Sequence, residues 1–172
     1  MRAASVAALG VLILGGSVQA RAQKLDDPTI VAIYDAANTF DIEASGLAIK
    51  RTKNADVKAL AEQFVRDHTA VRQQGRDLAK KLGVTPTPPK ECALCTEHTT
   101  AMAKLKSAGD AGFDRAYVEN EVTYHKAVID AINGTLLPAI QNAELKDLVT
   151  KVGPAFNAHL VAAQNLLNKL PK

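Results

Sequence analysis

The chain has 172 residues, enough for one domain with a proper apolar core. It has no Trp and few aromatics, while Ala and Leu are abundant, which suits close-packed helices better than strands. Its 21 Lys and Arg stand against 18 Asp and Glu, with no basic run interleaved with aromatics, so nucleic-acid binding has no support.

Residues 1–22 read as a secretory signal peptide. Met1-Arg2 is a short basic start, residues 3–18 are apolar and uncharged, and Val18-Gln19-Ala20 and Ala20-Arg21-Ala22 offer small residues for cleavage. No Cys follows the apolar run, which argues against a lipid anchor. The expectation is an exported, periplasmic protein without a membrane span in its mature chain, with a tethered, uncleaved form as the alternative. Loss of Arg2 and Arg21 leaves 19 basic against 18 acidic residues, so the mature chain is close to neutral. Residues 23–172 are expected to form a single domain.

Asp27-Pro28 predicts a helix start, with Asp27 as N-cap and Pro28 at the first helical position. From there to about residue 52 the stripe is Ile30, Ile33, Ala37, Phe40, Ala44 and Leu47, with Glu43 on the same side between Phe40 and Leu47. Asn54 predicts the cap of a second helix over about 56–82, with Val57, Ala61, Phe64, His68, Val71, Gly75 and Leu78 inward and Gly83 closing it. Thr85-Pro86-Thr87-Pro88-Pro89 runs extended. A shorter helix over about 92–107 carries Leu94, His98, Ala101 and Leu105 on one side. A third long helix runs over about 111–133, with an interruption expected at Gly134. A fourth, over about 143–170, is capped by Asn142. Its stripe is Leu145, Leu148, Val152, Phe156, His159, Ala163 and Leu166, with a kink expected at Gly153-Pro154.

Four long amphipathic helices predict an all-α, four-helix bundle. The connection between the second and third can span roughly 45 Å, enough to run the full length of the bundle. That permits a ferritin-like arrangement with one long crossover carrying the short helix. The alternative is an up-down-up-down bundle with the short helix across one end.

Asp114, Tyr117, Glu121 and His125 lie on one side of the third helix, so its inward face is not purely apolar. His68 and His159 lie on the inward stripes of two other helices. Under the crossover topology Glu43, His159, His68 and His125 share a layer about 7 Å thick, at 1.5 Å of rise per residue. Glu121 is one turn from His125 and joins that layer from the side. Neutral imidazoles with carboxylates suit a transition metal such as Zn, Fe, Cu or Mn. The competing reading is a buried polar network that fixes helix register and holds no metal. Asp114 and Tyr117, nearer the bundle end, are read as structural polar residues tying the crossover to the third helix. No Glu or Asp stands three residues before any His, so a standard di-iron carboxylate centre is disfavoured. No nucleophile–base motif is present, and whether the chain is an enzyme stays open.

Cys92-Ala-Leu-Cys95 opens the short helix. In an exported chain a disulfide is the default. A redox-active pair, or a soft-metal site completed by His98, are the sharper alternatives. No residue pattern argues for a protein partner or a homo-oligomer.

The order Glu43-x-x-x-Leu47-Ala48, Val57-Lys58-x-Leu60-Ala61 leading to Asp67-His68, Phe113-Asp114-x-x-Tyr117 leading to His125, and Pro154 with His159-Leu160 resembles an exported bacterial family. It is called domain of unknown function 4142, often labelled "putative membrane" or "outer membrane" protein. The resemblance covers nearly the whole mature chain, and its most specific part is the Phe-Asp-x-x-Tyr motif with a His eight residues on. It implies a fold similar to ferritin-like bundles and recurrent polar positions at Glu43, His68, Asp114, Tyr117, His125 and His159. It implies no activity, and Cys92 and Cys95 depart from its usual pattern. A non-enzymatic envelope or stress-related protein is therefore the alternative to a metal-binding one.

Overall fold

The computed structural model describes residues 25–171, and the expected signal peptide lies outside them. Among the described residues every regular element is helical. Helix α1 spans Asp27–Arg51, α2 Ala55–Leu82, α3 Ala93–Ser107 and α4 Asp110–Ala131. A π-helical turn, Ile132–Leu136, and a short turn, Leu137–Ala139, follow where Gly134 and Pro138 weaken the α pattern. Helix α5 then spans Ala143–Leu167 and continues through Pro154.

The caps follow local chemistry. Asn54 and Asn142 each accept two backbone N–H groups at the starts of α2 and α5. Gly83 ends α2 at φ +65°, a left-handed conformation that glycine adopts without strain. At α1 the cap is Asp26, which accepts from the Thr29 N–H at 3.0 Å, rather than the expected Asp27. The Asp27 carboxylate instead accepts the N–H groups of Gln141 and Asn142, at 2.9 and 2.8 Å. It thereby ties the start of α1 to the start of α5.

Contacts at the helix ends fix the directions. The Thr87 N–H donates to the Pro28 carbonyl at 3.1 Å, so the chain leaves α2 beside the start of α1. Arg51, at the far end of α1, donates to the carbonyls of Leu105 and Ala108 and pairs with Asp110 at 3.2 Å. The proline segment and α3 therefore travel the length of α1 before α4 begins. Helix α4 runs parallel to α2, and α5 runs back antiparallel to α4. Each long helix packs on two others: α1 on α2 and α4, and α5 on α2 and α4.

The core has two apolar clusters with a polar layer between them. One gathers Val57, Phe64, Leu105, Phe113, Val118 and Leu166 where α1 ends. The other gathers Ile30, Tyr34, Val128, Leu145, Val149 and Phe156 where α1 begins. Gly75 of α2 faces Tyr34 so closely that a Cβ there would lie 2.5 Å from the ring. Glycine thus lets α1 and α2 approach. The residues between the clusters, all buried, are Asn38, Asp41, Ser45, His68, Glu121, His125 and His159.

Candidate metal centre

His68 of α2, His125 of α4 and His159 of α5 converge in the polar layer. Their ring nitrogens include one from each residue that all lie within 4.8 Å of one another. Their outward nitrogens fix their tautomers. Asn38 donates through Nδ2 to the Tyr34 carbonyl at 2.8 Å, which leaves its Oδ1 to accept; His68 therefore donates from Nδ1 at 2.8 Å. The His125 Nδ1–H donates to the Glu121 carbonyl at 3.0 Å. His159 donates from Nε2 to the Asp67 carboxylate at 3.1 Å. Each ring thus turns a bare nitrogen inward, and the His68 Nε2 and His159 Nδ1 atoms stand 3.3 Å apart. Holding the outer N–H on an amide, carbonyl or carboxylate is how proteins aim an imidazole lone pair at a metal.

Two carboxyl groups complete the cluster. Asp41 Oδ2 lies 3.4 Å from His68 Nε2 and 3.6 Å from His125 Nε2. Asp41, Glu121 and His125 form a second triad of donor atoms within 4.8 Å of one another. Asp41 Oδ2, Glu121 Oε2 and His125 Nε2 are buried without a hydrogen-bond partner. Buried polar atoms are rarely orphaned, because each costs about 1–3 kcal/mol of lost hydration. A cation would satisfy such atoms, as would a proton shared between Asp41 and Glu121. The outer side of Asp41 is satisfied: Ser45 donates to Oδ1 at 3.2 Å, and the Ser45 and Tyr117 hydroxyls share a hydrogen bond of 2.8 Å.

Burial sets the protonation states. Burial, together with the neighbouring imidazoles, lowers His68 to about 2; burial lowers His125 to about 4, opposed by its bond to the Glu121 carbonyl and helped by His159. His159 is lowered by burial, partly offset by Asp67. Burial raises the Asp41 carboxyl to about 7, and burial together with Asp41 raises Glu121 well above the carboxylate range. The dry centre therefore holds neutral imidazoles and at least one protonated carboxyl at neutral pH. A divalent cation would let both carboxyls ionise and would leave the centre neutral. Three nitrogen and two oxygen donors fit Zn, Fe, Cu or Mn.

The structure brings together His68, Glu121, His125 and His159 of the residues expected from the sequence. Glu43 stands elsewhere. It is exposed and lies 2.8 Å from His98 Nε2, whose ring stacks on Phe40 at 4.1 Å. The inward seam of α1 is Tyr34, Ala37, Asp41, Ala44 and Ala48, while Ile33, Phe40 and Leu47 are only half-buried. Asp41 thus occupies the place expected of Glu43. The 3-4-3-4 spacing of that seam is its sequence signal, masked because Asp41 and its neighbours Asn38 and Ser45 are polar. Tyr117 was expected to tie the crossover; it is instead buried against Ser45 and so linked to the centre. Asp114 is half-buried near the start of α4 and forms no hydrogen bond or ion pair among the described residues. Cys92 and Cys95 form a disulfide across a Cα–Cα distance of 5.2 Å, and Cys92 Sγ caps α3 by accepting from the Cys95 N–H at 3.1 Å. His98 Nε2 is taken by Glu43, and the two sulfurs are taken by each other.

Among the described residues no helix is long and apolar enough to cross a membrane. No curated protein matches the chain. The solved structure titled "Crystal structure of DUF305 fragment from Deinococcus radiodurans" is similar in fold, with a TM-score of 0.73 at 13% identity. The match covers 83% of this chain and 95% of that one. A profile described as "Domain of unknown function (DUF4142)" matches residues 15–166, and the chain belongs to that family.

Proposed function

We propose that this protein is a ferritin-like bundle that binds one or more transition-metal ions through His68, His125, His159, Asp41 and Glu121. The observation that supports the reading most is the convergence of three inward-turned imidazole nitrogens, one of them shared with a triad that includes two buried carboxyls. The crossover geometry and the likeness to the DUF305 fragment support the ferritin-like topology. The leader-like residues 1–22 support a periplasmic location. The bound ion would supply Lewis acidity or, for Fe or Cu, a redox couple. Asp67, Asn38 and the Glu121 carbonyl orient the imidazoles in either case.

The test is thermal unfolding of metal-free protein titrated with Zn, Fe, Cu and Mn. At least one ion should raise the unfolding temperature, and the rise should vanish in His125→Ala. No rise with any of the four would sink the reading.

A further inference from the structure

The α1–α4 face of the bundle is not closed by side-chain packing. Alanines occupy the places where larger residues would fill it: Ala37 and Ala44 on α1, Ala127 and Ala131 on α4, Ala93 and Ala101 on α3. The result is a cavity of about 500 Å³ roofed by the crossover helix. Its walls include Ile33, Phe40, Leu94, Met102, Tyr124 and Phe156. Asp41 and Glu121, both fully buried, reach its lining, whereas His68, His125 and His159 do not. The cavity therefore meets the polar centre on its carboxyl side.

We propose that this cavity binds a small, neutral and largely apolar molecule of roughly ten to twenty non-hydrogen atoms. The charge of the lining chooses the head group. It holds three acids, Asp41, Glu97 and Glu121, and no Lys or Arg. A carboxylate-bearing ligand such as a fatty acid would give up its hydration without a Lys or Arg partner. An ammonium head would have to give up its hydration in an apolar pocket. A neutral head group gives up less hydration than either. The aromatic and thioether walls favour a ring system over a bare alkyl chain. This site stands on the cavity and its apolar lining, whether or not a metal occupies the centre behind it.

The experiment is calorimetric titration of the full chain, metal-free and metal-loaded, with three probes of one shape. These are 1-naphthol, 1-naphthoic acid and 1-naphthylmethylamine. The expected result is saturable one-to-one binding of 1-naphthol in both forms, about tenfold or more tighter than either charged probe. Ala101→Phe and Ala127→Phe, which fill the cavity from two different helices, should each weaken 1-naphthol binding about tenfold while metal content and unfolding temperature stay unchanged. Naphthoate or the amine binding as tightly as 1-naphthol would overturn the assignment of the head group. No naphthol binding, or binding undiminished in both variants, would overturn the site. Naphthol binding in a chain that takes up no metal would leave the cavity standing and count against the metal reading alone.

Discussion

The two sides of the polar layer are built differently. On the α2–α5 side His68 and His159 sit on seams that are otherwise apolar, with the Phe64 ring 4.5 Å from that of His159 and the Phe156 ring 5.2 Å from that of His68. On the α1–α4 side Asp41 and Glu121 sit among Asn38, Ser45 and Tyr117, beside a cavity. The first side is a dry wall that keeps imidazoles neutral. The second supplies the carboxyls and borders the cavity.

Breaking the dry wall should have the largest effect. Phe64 is fully buried, with its ring 5.0 Å from that of His125. Phe64→Ala should destabilise the fold by about 3–5 kcal/mol in urea denaturation, with or without metal. The opposite side should behave in reverse. Asp41→Asn should abolish metal stabilisation, yet at pH 8 metal-free Asp41→Asn should be more stable than metal-free wild type, by about 1–3 kcal/mol. The reason is that the variant buries no charge.

The pH dependence sharpens the same contrast. The folded Asp41 carboxyl is raised to about 7, so its neutral form contributes stability that is fully present below about pH 4, is lost between about pH 4 and 7, and levels off above that. His68 and His125 are lowered, so their neutral forms contribute stability that is present above pH 6.5 and lost as pH falls toward about 4. Above pH 6.5 only the carboxyl slope remains. Metal-free protein should lose stability between pH 6.5 and 8.5, by about 1 kcal/mol from Asp41 and further from Glu121, measured by denaturant midpoint, and Asp41→Asn should reduce that slope without abolishing it. Metal-induced stabilisation should grow over the same interval, because the ion displaces carboxyl protons and not imidazole ones. The smallest effect belongs outside the layer. Glu43→Gln breaks an exposed pair with His98 and should change stability by less than about 1 kcal/mol, leaving metal binding intact.

The same contrast explains what the sequence could tell. Val57, Ala61, Phe64 and Leu145, Val152, Phe156 repeat at helical spacing, so the inward direction of α2 and α5 was legible, and His68 and His159 with it. On α4, Glu121 and His125 share a face with Phe113 and Tyr117, which made them readable too. On α1 the inward positions 38, 41 and 45 are polar, while Ile33, Phe40 and Leu47 form an apolar flank that packs toward α3. Hydrophobic periodicity followed the flank, so Glu43 was read in place of Asp41. The long crossover was legible as a length, and its course became fixed only through the contacts of Thr87 and Arg51 at opposite ends of α1. The cavity had no sequence signal, since alanine at helical spacing reads equally well as close packing.

Elemental analysis of the untagged chain, purified without chelator, tests the central claim most directly, alongside His125→Ala and Glu43→Gln. The account predicts stoichiometric transition metal in the wild type and in Glu43→Gln, and its loss in His125→Ala. Metal-free wild-type protein that takes up no Zn, Fe, Cu or Mn on reconstitution would contradict it.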